Sequence, residues 1–139
     1  MAAAVVSTAA TVMTSAKVPT PPGAGAEELF ETAVFVLEAA RSSQEIAALG
    51  LGVGCGGPMT WPDGDVSPLN IPGWRDFPLR ERLADRFGVP VRIHNDAICL
   101  TIGEHLAGSG RGSDNVLGMV ISTGVGGGLV LEGRLINGA

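Results

Sequence analysis

Two glycine clusters, each at the end of an apolar run, constrain this chain more than any other feature. Gly52-Val-Gly-Cys-Gly-Gly57 closes one run, and Ser122-Thr-Gly-Val-Gly-Gly-Gly128 follows Val116–Ile121. Without a Cβ, glycine backbone reaches φ > 0 and lets a second backbone or a ligand come close. Short buried strands that open onto such residues suit layered α/β folds, in which ligands sit beyond the strand ends. The 139 residues, 45% hydrophobic and 17% charged, exclude a disordered tail or a fibrous repeat. That length suits one ordinary domain and is too short for two large ones.

The formal net charge is −5, and Lys17 is the one lysine. Residues 1–74 carry seven acids against two bases, while residues 75–139 carry seven of each. A nucleic-acid binder shows a basic patch or stripe, whereas Arg75, Arg80, Arg82, Arg86 and Arg92 are interleaved with acids as on a solvated helix. With no tyrosine and six other aromatics, a base-stacking surface is not expected either. Cys55 and Cys99 lie 44 positions apart, without a CxxC or a histidine at ligand spacing. They read as free thiols in a reducing, cytoplasmic compartment, with no metal held by this chain. No apolar run reaches membrane-spanning length. The opening Met1–Met13 lacks a basic start and is broken by Ser7, Thr8 and Thr11, unlike a signal peptide.

Residues 2–6 and 12–18 are small or β-branched and predict two strands around a polar turn. Residues 20–25 form a Pro/Gly breaker. Leu29, Phe30, Ala33, Val34, Leu37 and Ala40 then recur at helical spacing, with Glu27, Glu28 and Glu31 expected in the favourable first turn. Ile46 to Val53 reads as a buried strand, and residues 59–78 as irregular. Asp76 is expected to cap a short helix that turns Leu79, Leu83 and Phe87 inward. Val91–Ile93 is a strand, and Asn95-Asp96 opens a helix through Leu106. After a break at Gly108–Gly112, Val116–Ile121 is a strand, and 129–131 and 134–136 flank Glu132-Gly133 as a hairpin. The alternation indicates an α/β fold with a mixed sheet and flanking helices.

Three constellations carry possible chemistry. Gly52–Gly57 matches GxGxxG, yet Pro58 and Thr60-Trp-Pro-Asp-Gly64 follow it instead of a helix, which disfavours a dinucleotide site. Ser122–Gly128 could converge backbone N–H groups and the Thr123 hydroxyl on a phosphate, or be a glycine-rich tight turn; the residues alone leave both open. It is not a Walker A loop, since no Gly-Lys-Ser/Thr follows. His94-Asn95-Asp96-Ala97 stands at a strand-to-helix junction. There Asn can fix a hydroxyl and Asp can accept its proton, although a lone Asp would read as a helix cap. His94 and His105 give no metal spacing and read as hydrogen-bonded or surface residues.

In order along the chain, the blocks VPTP, LGVGCGGPMTWPDGDV, LNIPGWRDFPL, GVPVRIHNDA, GEHLAGSGRG and STGVGGGLVLEGRLINGA together resemble the repressor–open reading frame–kinase (ROK) family. The likeness is to its glucokinase-like sugar kinases. It implies the actin-like ATPase (ribonuclease H-like) fold, here incomplete, with residues 1–112 in the N-terminal lobe and 113–139 starting the second. It implies transfer of the ATP γ-phosphate, with Mg²⁺, to the 6-hydroxyl of a hexose such as glucose. By the same likeness Asp96 is the general base. Gly57, Asn70, Asn95 and Asp96 hold the sugar, and Thr123, Gly124, Gly126 and Gly127 belong to a phosphate loop. A homo-oligomeric full-length form and hexose and ATP as partners are also implied. The alternatives are a sugar-sensing regulator of the same family without its DNA-binding part, or a non-catalytic remnant.

The sequence departs from the family pattern in specific ways. No Asp-Ile-Gly-Gly-Thr-Lys phosphate loop stands before Ala2, and the family's His-Gly segment, sugar-binding Glu and His, and cysteine-rich zinc motif are not found. Position 94, usually Glu, is His. The expectation is a chain from the middle of a kinase, inactive alone. In that reading a sheet strand is missing between the hairpin strand near Val12 and the strand ending at Asn95.

Overall fold

The computed structural model describes residues 1–41, 47–122 and 124–137. β1 (Ala2–Val6) and β2 (Val12–Lys17) form an antiparallel hairpin in which Ala2 faces Lys17. Val18 lies just beyond β2 and donates its N–H to the Met1 carbonyl at 2.9 Å. α1 (Ala26–Arg41) carries Glu27 and Glu28 in its first turn and buries Leu29, Phe30, Val34, Val36 and Ala40. The expected Ala33 and Leu37 are half-buried, while Val36 joins the buried set. A second flank of the helix is covered by the hairpin, where the Thr14 hydroxyl donates to the Ala40 carbonyl at 2.6 Å.

β3 (Leu51–Cys55) and β6 (Val91–Asn95) pair in parallel, from Leu51 opposite Val91 to Cys55 opposite Asn95. The strand expected from Ile46 therefore begins five residues later and runs two residues further, through Cys55. Ile46 itself lies outside the described residues. The cause is the partner strand: Leu51 N–H bonds the Pro90 carbonyl at 2.9 Å, and Pro90 has no N–H with which to extend the ladder.

The segment expected to be irregular holds a small hairpin, β4 (Met59–Thr60) with β5 (Asp65–Val66), turned by Gly64 at φ +82°. Two-residue strands leave no period to read. Val66 also exchanges backbone hydrogen bonds with Phe77, at 2.9 and 3.1 Å. That bridge draws Asp76 away from the following helix. Asp76 sits at φ +47° and its N–H bonds the Ser67 hydroxyl at 2.8 Å, so it does not cap α2 (Leu79–Phe87). Pro78 occupies the cap position without a side-chain bond, and Gly88 closes the helix in the left-handed conformation.

The core lies between α1, α2 and the β3–β6 pair. It contains Phe30, Cys55, Trp74, Phe77, Leu83 and Ile93 among others. Trp74 stacks on Phe77 with ring centroids 5.1 Å apart and donates its indole N–H to the Ala26 carbonyl at 3.2 Å. Arg82 lies 4.1 Å above the Phe30 ring and grips both Glu27 carboxylate oxygens, at 2.6 and 2.8 Å, tying α2 to α1.

Among the described strands, β1–β2 and β3–β6 form separate sheets. A cavity of about 500 Å³ between them is lined by Ala2–Ala4 and by Leu51–Gly56. A second, of about 470 Å³, is lined by Val5 and Val6 with Gly50 and Leu51. β1 and β3 thus face each other across a gap. The expected borders of this gap are the strand near Val12 and the strand ending at Asn95. Its immediate borders are instead β1 and β3, because β2 and β6 lie on their outer sides.

α3 (Asp96–Ala107) begins directly at the end of β6 and packs on an antiparallel sheet of β7 (Val116–Ile121), β8 (Val125–Leu131) and β9 (Arg134–Ile136). Here the sequence reading needs a correction. Gly126, Gly127 and Gly128 are not part of a loop with left-handed backbone. They lie inside β8 opposite Val120, Met119 and Gly118, and none has a positive φ. Their lack of a side chain serves packing: a Cβ on Gly126 would stand 2.9 Å from Ala97 Cβ, and one on Gly128 would stand 2.8 Å from Thr101 Oγ1. Among the described residues no helix is long and apolar enough to cross a membrane.

Candidate active site

Where β3 and β6 end side by side, the chain turns through Gly56–Gly57 on one strand and enters α3 on the other. This brings together residues that are far apart in sequence. A Cβ on Gly56 would stand 3.5 Å from Asn70 Oδ1 and 4.0 Å from Asp96 Oδ2, and one on Gly57 would stand 3.5 Å from Asn95 Nδ2. The glycine pair is therefore the floor of a small cradle walled by two amides and a carboxylate. Asn70 is held close by its neighbours' backbone, since Leu69 N–H bonds the Gly57 carbonyl at 3.3 Å.

The start of α3 sets the carboxylate. Asn95 is the helix cap, and its Oδ1 accepts the Ala97 N–H at 3.0 Å. The same N–H also reaches Asp96 Oδ1 at 2.8 Å. One Asp96 oxygen is thus anchored while Oδ2 stands over the glycine floor. Asp96 is exposed, and Asn95 is half-buried. Such a group can accept a hydrogen bond, and then a proton, from a hydroxyl placed between it and the amides. The Asp96 charge is felt by both thiols. Burial chiefly, and Asp96 secondarily, push the Cys55 thiol up to about 11. Burial, with the same aid from Asp96, also raises Cys99, partly offset by a backbone hydrogen bond. Both cysteines are free.

Four of the residues singled out from sequence, Gly57, Asn70, Asn95 and Asp96, therefore share one cradle. Gly56 belongs with them and was missed, although its place in the glycine cluster was a signal. Gly124, Gly126 and Gly127 lie in and next to β8, apart from the cradle walls, and Thr123 lies outside the described residues. Among the described residues β9 pairs with Leu129–Leu131, which leaves the Val125–Gly128 half of β8 with one edge unpaired there. A Cβ on Gly124 would meet nothing within 4 Å. An open edge with three successive glycines fits an anion held by backbone N–H groups. Among the described residues no group of three or more His, Cys, Asp or Glu could hold a metal ion.

With that geometry in hand, the likeness to known proteins is extensive. The model of the ROK family matches residues 1–139, and the chain belongs to this family. It is 33% identical over 138 residues to a glucokinase of Streptomyces coelicolor, covering 99% of this chain and 42% of that protein. It is 35% identical over 113 residues to an N-acetyl-D-glucosamine kinase of Photobacterium profundum, covering 81% of this chain and 37% of the relative. The structure resembles that of a ROK family glucokinase from Streptomyces griseus in complex with glucose and AMPPNP. The TM-score is 0.86 at 32% identity, over 99% of this chain and 43% of that one. The fold is the actin-like ATPase type, present in part. The chain spans less than half the length of these relatives.

Proposed function

We propose that residues 1–139 are the sugar-holding part of an ATP-dependent hexose kinase, with glucose as the acceptor. The observation that carries this reading is the convergence of Asn70 Oδ1, Asn95 Nδ2 and Asp96 Oδ2 on the Gly56–Gly57 floor. In it, Asn70, Asn95 and the Gly57 backbone orient sugar hydroxyls, and Asp96 Oδ2 takes the proton of the 6-hydroxyl as that oxygen becomes the nucleophile. Mg-ATP, when bound, supplies the γ-phosphoryl group and neutralises its developing charge. Thr123, Gly124, Gly126 and Gly127 contribute to holding its phosphates along the unpaired half of β8. Residues 1–112 belong to the first lobe, residues 113–139 begin the second, and the site works in the cytoplasm.

The test is a chimaera in which residues 1–139 replace the matched region of the S. coelicolor glucokinase. It should phosphorylate glucose in an ATP-dependent manner, in preference to N-acetylglucosamine. At Gly57 an added Cβ makes only ordinary contact with Asn95 Nδ2, so Gly57→Ala should leave the melting temperature nearly unchanged while raising the glucose KM. A folded chimaera that phosphorylates no hexose would contradict the reading.

A further inference from the structure

His94 stands at the end of β6, half-buried, immediately before the Asn95–Asp96 pair. Its ring is engaged on three sides, by the backbone of the next residue and by two pieces of chain distant in sequence. Nδ1 accepts the backbone N–H of Asn95 at 2.8 Å. Nε2 lies 3.2 Å from Oδ1 of Asn137, just past β9. The Trp61 indole, on the turn of the β4–β5 hairpin, stacks against the ring with centroids 5.9 Å apart and planes 29° from parallel. A neutral imidazole has one donor and one acceptor nitrogen. Because Nδ1 accepts from Asn95, the proton belongs on Nε2, which is where Asn137 offers an acceptor. A single tautomer satisfies both ends.

We propose that His94 is a positioning residue for the Asn95–Asp96 pair: its Nδ1 holds one peptide in place through the Asn95 N–H, while the clasp of Trp61 and Asn137 sets the orientation of the ring. The peptide in question is the one at which β6 becomes α3. Its rotation fixes where Asn95 Nδ2 stands over Gly57 and where Asp96 Oδ2 stands over Gly56. The clasp also joins the sheet containing β9 to the β3–β6 pair, through side chains alone. This inference rests on the sugar-kinase reading of the cradle and adds a group that touches neither substrate.

Two substitutions divide the ring into its halves. Asn at position 94 can offer an acceptor at the place of Nδ1 but is too short for Asn137. Gln can reach Asn137 with an amide N–H but leaves the Asn95 N–H without its acceptor. In the glucokinase chimaera, His94→Gln should lower kcat by about tenfold or more, the scale of a small misplacement of reacting groups. His94→Asn should keep kcat within about threefold, and Trp61→Phe should behave as the parent because the stack is retained. Nitrogen-15 NMR of the imidazole should show the Nε2–H tautomer, with an Asn95 amide shift that changes in His94→Gln and not in His94→Asn. Equal kcat for the two variants, or an Nδ1–H tautomer, would overturn the clasp. With a parent chimaera active on hexose, those results mean failure of the clasp alone, whereas an inactive folded parent that shows the Nε2–H tautomer means failure of the kinase reading alone.

Discussion

Thr101 lies directly on Gly118: a Cβ at Gly118 would collide with the Thr101 hydroxyl and stand 2.8 Å from its Cβ. Thr101 is fully buried on the inner face of α3, and its hydroxyl donates to the Ala97 carbonyl at 2.9 Å. On the neighbouring strand Gly128 meets the same side chain. Helix and sheet touch at the backbone, and this close seat fixes the height at which α3 presents Asp96.

Gly118→Ala should therefore destabilise the fold by roughly 1–3 kcal/mol, the usual cost of overpacking. Gly103→Ala, on the same helix but with nothing within 4 Å of the added Cβ, should stabilise by about 0.5–1 kcal/mol. Urea midpoints of the two variants in the glucokinase chimaera check both signs.

Burial raises the Cys55 thiol from its ordinary value of 9.0 to about 11, which makes its contribution to stability depend on pH. Between those values the unfolded chain has lost the thiol proton and the folded chain keeps it. Unfolding then releases a proton, so stability contributed by this group falls as pH rises from about 9 to about 11. Urea midpoints across that window should drop more steeply for the parent than for Cys55→Ala. Equal slopes would place the thiol in a more solvated setting than the structure shows.

The gap between β1 and β3 leaves one edge of each strand without a backbone partner among the described residues. On the far sheet Leu117, Met119 and Ile121 project from the face opposite α3 and are exposed. Unpaired edges and bare apolar faces promote association between chains. The 139-residue chain by itself should sediment as oligomers or aggregate and show no hexose phosphorylation. A monodisperse monomer with a sharp cooperative melt would contradict this.

Much of this architecture was legible in the sequence because its signals were periodic or local. Apolar spacing placed α1, and a continuous apolar run placed β7 from Val116 to Ile121. The candidate site was legible through Asn95-Asp96 at a strand end and the adjacent glycine cluster. What stayed hidden depended on partners. The start of β3 is set by Pro90 on the facing strand, and Asp76 is diverted by the Val66–Phe77 bridge. The glycines of β8 are required by Thr101 and Ala97 on a helix some thirty residues earlier, a cause that no local pattern carries. Trp61 and Asn137 escaped notice for the same reason: each matters through His94.

The central claim is that Asp96 is the proton acceptor of a sugar kinase and not merely part of a helix start. Asp96→Asn in the glucokinase chimaera removes the acceptor, while its side-chain oxygen can still receive the Ala97 N–H that Asp96 Oδ1 receives now. In this variant kcat should fall roughly 10²- to 10⁴-fold, with glucose affinity by calorimetry changed only a few-fold. Turnover near the parental rate would reduce Asp96 to a structural residue and contradict the account.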